Sequence, residues 1–211
     1  MGYTVIAPVS THTDAIYVGI KEFSTDKIVL LTPPHTESLA ENIKKDLSKF
    51  KIEITILKLK EPLWEELFQL VGRIVAAEKN EVIVNVGSGD HSMKCASVCA
   101  AFVNGLKAFD IVGNSSMLLP VLKFSYYKLL TDRKLHILKV LHTQKDCCGS
   151  LEDLAKKTNM SLPLISYHIN GTLKSEGLKQ LGLVEITRKK RKTAINLTTL
   201  GRLLITGYIK P

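Results

Sequence analysis

The chain has 211 residues, which is enough for one domain of ordinary size and a second, smaller one. Hydrophobic residues make up 45% of it and charged residues 23%, and this composition excludes an intrinsically disordered chain. The apolar runs are strand-sized and the first residues carry no basic segment, so we expect neither a signal peptide nor a membrane span. Four cysteines without a CxxC pair predict no disulfide framework and no zinc ribbon, and they favour a reducing, cytoplasmic location.

The net charge of +9 is concentrated in one part of the chain. Residues 1–123 contain 13 Lys and Arg against 14 Asp and Glu, a net of −1. Residues 124–211 contain 16 Lys and Arg against 6 Asp and Glu, a net of +10. This segregation indicates a polyanionic partner for the second part alone.

The first part of the chain alternates strand-like and helical apolar patterns, which is typical of a mainly parallel sheet covered by helices. We predict a Rossmann-like α/β fold with a six-stranded, mainly parallel sheet that ends in a hairpin. The predicted strands are Tyr3 to Pro8, Lys27 to Thr32, Glu53 to Leu59, Glu81 to Val86, Ala108 to Val112 and Leu118 to Lys123. The predicted helices are Asp14 to Glu22, Thr36 to Phe50, Pro62 to Glu78 and His91 to Leu106.

The alternation stops near Lys123 to Asp132, where we place a domain boundary. The predicted organisation is a Rossmann-like domain at residues 1–123, a linker at 124–130 and a winged helix-turn-helix domain at 131–211. The elements predicted in the last are a helix lined by Leu135, Leu138 and Leu141, helices at Leu151 to Lys157 and Leu162 to Lys174, strands at Leu183 to Thr187 and Ala194 to Leu197, and a helix from Thr199 to Tyr208.

The connection Thr158 to Ser161 between two of these helices has the length of a helix-turn-helix turn. The second helix of that motif enters the major groove of double-stranded DNA, where its outward polar residues contact bases or phosphates. The candidate DNA-binding residues there are Ser161, Ser166, Tyr167, His168, Asn170 and Lys174. We expect Ser161 to cap this helix, and Leu162, Ile165 and Ile169 to face the core. Gly171 interrupts the pattern, which leaves residues 173–181 as either a loop or a short helix.

Consecutive basic residues occupy the tip between the last two predicted strands. They are Arg188, Lys189, Lys190, Arg191 and Lys192. An isolated basic run is usually a solvated loop, but after a helix-turn-helix it is placed to follow the phosphate backbone. The flanking runs Leu181-Gly182-Leu183-Val184 and Leu197-Thr198-Thr199-Leu200-Gly201 resemble those of winged-helix transcription regulators, which implies DNA binding. An adaptor whose winged helix docks on a protein is the alternative.

Polar residues without an apolar role follow two predicted strands. In open α/β sheets, ligands bind at the carboxyl ends of strands, where turns and helix N-termini offer backbone N–H groups to anions. The candidate ligand-binding residues are Pro8, Ser10, Thr11, His12 and Thr13 after the first strand, and Gly87, Ser88, Gly89, Asp90, His91 and Lys94 after the fourth. They suit a phosphate-bearing ligand, and a plain tight turn is the alternative. The Rossmann dinucleotide fingerprint and the Walker A sequence are both missing.

The run Asn85-Val86-Gly87-Ser88-Gly89 followed by Met93-Lys94, with the polar first turn and the C-terminal winged helix, resembles the CRISPR-associated Rossmann-fold (CARF) transcription regulators. The resemblance implies a homodimer that binds a cyclic oligoadenylate effector, with cyclic tetra-adenylate the main candidate, across its two-fold axis. It also implies regulation of CRISPR-Cas genes in antiviral defence. Asp90 and His91 depart from the family, which has a small hydroxyl residue after the glycines, and a carboxylate at position 90 would repel phosphate.

Two cysteine clusters raise the possibility of metal or redox sensing. His91, Cys95 and Cys99 share one helical face, but the first and last are about 12 Å apart along the helix, too far to bind one ion. Cys147 and Cys148 lie near His142 in the sequence and are a weaker candidate. We therefore expect no metal site.

An enzyme that slowly cleaves its own cyclic oligoadenylate is the alternative function. His12, Ser88, His91 or Lys94 would then assist the chemistry. We find no catalytic triad, hydrolase elbow or carboxylate pair, so we expect no catalytic residues, and no cofactor besides the effector.

The segment Lys123 to Leu130 is the predicted route between the two domains. Its aromatic residues Phe124, Tyr126 and Tyr127 are expected to pack at the junction. Ligand binding would alter DNA affinity by changing the spacing of the DNA-binding helices.

Overall fold

The computed structural model describes residues 2–120, 129–144, 149–173, 175–189 and 192–207, without the side chains of residues 188, 189, 192 and 193. The chain divides into two compact units, Met1–Tyr127 with Gly207–Pro211, and Lys128–Thr206. Within the described ranges, each helix is too short or too polar to cross a lipid bilayer.

The first unit is a six-stranded sheet with helices between its strands. Its strands are β1 (Tyr3–Pro8), β2 (Thr25–Thr32), β3 (Glu53–Lys58), β4 (Val82–Asn85), β5 (Lys107–Val112) and β6 (Ser115–Leu118). Its helices are α1 (Asp14–Glu22), α2 (Glu37–Leu47), α3 (Leu63–Ala77) and α4 (His91–Asn104). The predicted helix Thr36 to Phe50 is too long, because single 3-10 turns, Pro34–Thr36 and Ser48–Phe50, flank α2.

The strand order is β3-β2-β1-β4-β5-β6. Strands β1 to β5 run parallel, and β6 returns antiparallel to β5. In the central strand β1, Ile6 pairs with Val29 of β2 on one side and with Val84 of β4 on the other. The predicted α/β fold with a mainly parallel six-stranded sheet is therefore confirmed.

Burial explains why these segments form strands and helices. Most residues of β1, β2 and β4 are buried, as their runs of Val, Ile and Leu require in a sheet covered on both faces. Helix α3 buries Leu67, Val71 and Ile74, which recur at helical spacing. Helix α4 ends at Gly105, whose φ of 67° is the left-handed cap that glycine favours.

The predicted last strand, Leu118 to Lys123, begins too late, because the hairpin turns earlier and its second strand is Ser115–Leu118; residues 121–123 lie outside the described residues. Gly113 adopts a φ of 62°. Together with Asn114 it closes a two-residue turn that pairs Val112 with Ser115. Glycine and asparagine favour such tight hairpin turns. The sequence reasoning missed this turn signal.

The second unit contains, in its described residues, helices, a short hairpin, a longer strand pair and a closing helix. They are α5 (Asp132–Thr143), α6 (Leu151–Thr158), α7 (Leu162–Asn170), β7 (Gly171–Thr172), β8 (Ser175–Glu176), β9 (Val184–Lys189), β10 (Lys192–Leu197) and α8 (Thr199–Gly207). This order of elements is compatible with a winged helix-turn-helix.

Hydroxyl side chains mark the helix starts in this unit. Thr131 Oγ1 and Ser150 Oγ accept backbone N–H groups from the first turns of α5 and α6. Asn159, with a left-handed φ of 53°, ends α6 and begins the short turn to α7. Ser161 occupies the predicted cap position of α7, but its side chain makes no capping hydrogen bond.

The predicted helix Leu162 to Lys174 is too long. Helix α7 ends at Asn170, because Gly171 adopts a φ of 75° and turns the backbone into β7. Strand β8 pairs with β7 where a loop or a short helix was expected. Lys174 lies outside the described residues.

Candidate functional site

The carboxyl ends of β1 and β4 border a crevice in the first unit. The chain passes from β1 through α1 to β2 on one side, and from β4 through α4 to β5 on the other. The β1 turn (residues 9–13) and the β4 turn (residues 86–90) therefore diverge where the strand order reverses. Ligands of open α/β sheets bind at this position.

Ser10 joins the two turns. Its side chain is buried, and its Oγ donates a 2.7 Å hydrogen bond to the backbone oxygen of Ser88. The same hydroxyl accepts the His12 backbone N–H at 3.2 Å and lies 3.2 Å from His12 Nδ1. The structure thus brings together the predicted residues of both turns, with the Ser10 hydroxyl engaged inside the protein.

Asn85, the last residue of β4, makes hydrogen bonds to both sides of the crevice. The sequence analysis gave it no role of its own. It is completely buried, and its Nδ2 donates to the backbone oxygen of Ala15 in α1 at 2.9 Å. Its Oδ1 accepts the Gly87 N–H at 3.1 Å. An amide at the end of an otherwise aliphatic strand was the signal that could have identified it.

The candidate ligand-binding residues differ in exposure. Thr11, His12 and His91 are exposed, Thr13, Gly87, Asp90 and Lys94 are half-buried, and Pro8, Ser10, Ser88 and Gly89 are buried. Ser88 Oγ lies 3.4 Å from the backbone oxygen of Asn85 and so faces the interior. A Cβ on Gly89 would lie 3.2 Å from both Pro8 Cβ and the Lys94 nitrogen, so glycine permits this close packing.

Asp90 caps helix α4. Its Oδ1 accepts the Met93 N–H at 2.8 Å, which satisfies one of the unpaired donors of the first turn. The carboxylate predicted to repel phosphate thus has a structural partner. The exposed His91 and Ser92 follow it on the first turn, where the helix dipole favours an anion.

Lys94 forms an ion pair that the sequence reasoning did not include. Its Nζ lies 3.0 Å from each carboxylate oxygen of Asp110 on β5. The side chains of Lys94 and Asp110 are 38% and 22% exposed, so the pair is open to solvent. The positive charge predicted for the crevice is therefore balanced by a neighbouring carboxylate.

The crevice offers hydroxyls, two imidazoles, a helix N-terminus and one lysine, a set that suits a polar, phosphate-bearing ligand. The described residues contain no cluster of His, Cys, Asp and Glu able to hold a metal ion. Cys95 and Cys99 are free and exposed. Cys147 and Cys148 lie outside the described residues.

Helix α7 presents a mixed polar surface in the second unit. Ser161, Tyr167 and Asn170 are exposed and Ser166 is half-buried, so these predicted residues do lie on its outer face. Asn170 Nδ2 donates to Ser166 Oγ at 3.2 Å, which couples two of them. Leu162 is also 41% exposed, contrary to the prediction that it faces the core.

His168 is buried, so the prediction that it faces outward or flanks the outward surface is wrong. It is 5% exposed, and neither ring nitrogen has a hydrogen-bond partner among the described residues. Burial lowers the pKa of His168, and the nearby charges of Lys134 and Arg133 lower it further. Its place two residues after Ser166 turns it to the core side of α7, next to the buried Ile165 and Ile169.

Strands β9 and β10 form the predicted antiparallel pair, with Lys189 opposite Lys192. Positions 189 and 192 of the basic run therefore lie at one end of this pair. The side chains of Arg188, Lys189 and Lys192 are not described, and Lys190 and Arg191 lie outside the described residues.

A family model described as HFX_2341_N:-like, N-terminal matches residues 4–112, slightly more than half of the chain. The chain belongs to this family. The match extends from β1 to β5 and includes both crevice turns of the HFX_2341_N:-like chain. A protein of Archaeoglobus fulgidus, described as uncharacterized, is 26% identical to it over 187 residues, with 82% of each chain covered.

Three solved structures align with the HFX_2341_N:-like chain, and the two with a TM-score of 0.51 share its fold. Protein VC1899 from Vibrio cholerae aligns with a TM-score of 0.51 and 7% identity, covering 97% of this chain and 64% of that one. A type III CRISPR defence DNA nuclease activated by cyclic oligoadenylate aligns with a TM-score of 0.51 and 18% identity, covering 82% and 35%. Can2 from Sulfobacillus thermosulfidooxidans, solved with cyclic tetra-adenylate, aligns with a TM-score of 0.47 and 14% identity, covering 77% and 61%. The chain thus spans less than two thirds of each of these solved proteins.

Proposed function

We propose that the protein is a transcription regulator that binds a cyclic oligoadenylate in its first unit and double-stranded DNA in its second. The observation that carries the proposal is the crevice between β1 and β4, whose turns are tied together by the Ser10 hydrogen bond to Ser88. This hydrogen bond holds the β1 turn and the β4 turn of one protomer together, so that a ligand can contact both turns at once.

The ligand class follows from the chemistry of the crevice and from two resemblances. The groups available to a ligand are exposed hydroxyl and imidazole side chains, the first turn of α4 and the partly exposed Lys94. The run from Asn85 to Lys94 resembles the CARF regulators. The type III CRISPR nuclease that shares the fold is activated by cyclic oligoadenylate. We therefore place the regulated genes in a CRISPR-Cas system.

A homodimer fits this ligand class. Two copies related by a two-fold axis present the same crevice twice, and a ring of even size can meet both with identical groups. Cyclic tetra-adenylate is our first candidate because it has that symmetry. The dimer also matches paired DNA half-sites.

The second unit supplies the features of a DNA reader. Its order of elements is compatible with a winged helix-turn-helix, and residues 124–211 carry a net charge of +10. Ser166, Tyr167 and Asn170 on α7 are our candidates for base and phosphate contacts, and the basic run of residues 188–192 is our candidate for contacts with the phosphate backbone.

Slow cleavage of the ring is the second candidate activity. The contact that favours it is the 3.2 Å approach of Ser10 Oγ to His12 Nδ1. Against it, the Ser10 hydroxyl is buried and donates to Ser88. We propose binding without catalysis.

Isothermal titration calorimetry with cyclic tetra-adenylate tests the ligand, with linear tetra-adenylate and NAD as controls. We expect tight binding of one ring per two chains, no comparable heat from the controls, and intact ring on chromatography afterwards. Release of linear adenylate would instead establish cleavage. Absence of binding would reject the cyclic oligoadenylate.

DNA binding is tested by fluorescence anisotropy over a range of salt concentrations. We expect the triple variant Arg188→Ala, Lys189→Ala, Arg191→Ala to bind all duplexes more weakly and to flatten the slope of log K against log salt. An unchanged slope would remove the basic run from the interface.

A further inference from the structure

Leu173 forms the exposed tip of the short hairpin β7–β8. Its relative exposure is 107%, well above that of Phe50, at 68% the next most exposed large hydrophobic side chain that the structure describes. Single apolar side chains on a surface are common, so exposure alone assigns no role. Leu173 is unusual because, although it is exposed, the hairpin that carries it is attached to helix α7 by hydrogen bonds.

Backbone hydrogen bonds attach the end of the hairpin to α7. The Leu178 N–H donates to His168 O at 2.8 Å, and the Lys179 N–H donates to Ile169 O at 2.9 Å. The Gly177 N–H donates to Gln180 Oε1 at 2.8 Å. A Cβ on Gly177 would lie 2.5 Å from the Ile169 oxygen, so the returning strand contacts the last turn of α7 directly.

Helix α5 holds the same hairpin from another side. Lys134 is 5% exposed, and its Nζ donates to the backbone oxygen of Glu176 at 2.6 Å. An ammonium group is rarely buried without such a partner, because its desolvation is costly. The hairpin and α7 are therefore one rigid surface supported by α5.

We propose that the β7–β8 hairpin is a second DNA-contacting element and that Leu173 packs against the sugar and base edges beside the groove that α7 enters. The proposal rests on the proposed DNA binding of the second unit. Helix α7 has 9 residues. An α-helix with its side chains is about 10–12 Å in diameter, which the major groove, about 12 Å wide, admits. The hairpin is attached to the C-terminal end of α7 and would therefore lie at the edge of the groove.

Charge favours DNA over a protein as the occupant. Residues 124–211 carry a net charge of +10, so a polyanion is attracted to the unit that presents Leu173. Apolar side chains are used against nucleic acid at this kind of position, where they contact sugars or enter between base steps.

The test compares Leu173→Ala with the parent by fluorescence anisotropy on a labelled duplex from upstream of its own gene and on a random duplex, across a salt series. We expect affinity to fall about five- to tenfold, the loss expected when about half of one leucine side chain is buried on binding. The slope against salt should stay unchanged, because no phosphate contact is lost. The matched control is Phe50→Ala, which removes an exposed apolar side chain from the first unit and should leave DNA affinity unchanged.

Leu173→Ala should keep the parent's circular dichroism and melting temperature, so that weaker binding cannot be ascribed to unfolding. Parent-like DNA affinity of Leu173→Ala would overturn the hairpin proposal and leave DNA binding standing. A changed oligomeric state with unchanged DNA affinity would overturn it in favour of a second copy of the chain. A parent protein that binds no duplex would overturn the proposed function and this inference with it.

Discussion

At the scale of single residues, Lys94 is the charge that we expect to attract an anionic ligand to the crevice. Its ammonium lies 3.0 Å from both oxygens of Asp110 and is partly exposed. A phosphate entering the crevice would compete with Asp110 for the same ammonium. The ion pair therefore weakens the attraction of the crevice for anions.

We expect Asp110→Asn to bind cyclic tetra-adenylate about three- to fivefold more tightly at low salt, because the competing charge is gone. The amide oxygen can still accept the Ile111 N–H that Asp110 Oδ1 accepts at 2.8 Å. Calorimetry at two salt concentrations measures the effect. The control is Glu81→Gln, which removes the ion-pair partner of Lys107 at the amino ends of the strands. It should leave the affinity for cyclic tetra-adenylate unchanged. Equal affinity of Asp110→Asn and parent would show that Lys94 does not contact the ligand.

His168 makes the stability of the protein depend on pH. Burial, with the charges of Lys134 and Arg133, lowers its pKa in the folded state below the ordinary value of 6.5. Between the lowered value and 6.5 the unfolded chain binds more protons than the folded one. Above about pH 6.5 the titration of His168 therefore costs no stability. The free energy of unfolding decreases as the pH falls through this window.

The prediction is tested by urea unfolding from about pH 8 to about pH 5, the range in which a histidine titrates. We expect His168→Leu to lose less stability than the parent over this range. At about pH 8 it should be no less stable, because neither ring nitrogen has a partner among the described residues. Parallel curves for the two proteins would show that protonation of His168 is not the cause.

At the scale of elements, close backbone packing explains the two runs that flank the basic tip. Thr198 Oγ1 donates to Gly182 O at 2.6 Å and accepts the Gly201 N–H at 3.0 Å, so it joins the start of α8 to the turn two residues before β9. Gly182 adopts a left-handed φ of 69°. Gly201 lies against the backbone oxygen of Leu183, where a Cβ would overlap it. Thr198 and Gly201 of the run Leu197 to Gly201 are thus required by this packing.

We expect Gly201→Ala to lower the free energy of unfolding by about 2 to 3 kcal/mol, because a backbone oxygen cannot move aside as a side chain can. Thermal and urea unfolding measure the loss. Gly149→Ala is the control, because among the described residues its Cβ would meet only Asp153 Oδ2, at an ordinary 3.6 Å. Equal losses for the two variants would contradict the packing explanation.

At the scale of the whole molecule, a near-neutral segment precedes a strongly basic one. Residues 1–123 carry a net charge of −1 and residues 124–211 a net charge of +10. Ligand and DNA are therefore expected to bind different parts of the chain. A signal between them requires a coupling free energy, which acts equally in both directions.

We expect cyclic tetra-adenylate to change the dissociation constant for DNA by a factor of about 5 to 150, and DNA to change that for the ring by the same factor. Anisotropy titrations with and without saturating ring measure the first factor, and calorimetry with and without DNA measures the second. A factor of one in both directions would mean that the two sites act independently.

The candidate site was only partly predictable. Both crevice turns could be located, because polar residues after aliphatic strands are visible in the sequence. The partners that define their chemistry could not: Ser10 and Ser88 are 78 residues apart, and Lys94 and Asp110 are 16 apart. Such pairs follow from strand order, which local patterns do not contain.

The sequence by itself determined the fold class, the succession of most helices and strands, the two crevice turns and the segregation of charge, because apolar periodicity and composition are local properties. Only the tertiary structure decided that His168 faces inward, that Lys94 is paired and that a hairpin ends helix α7. Each of these depends on contacts between distant segments, such as Lys134 with Glu176, 42 residues away. These contacts contribute to stability only after folding has brought the distant segments together.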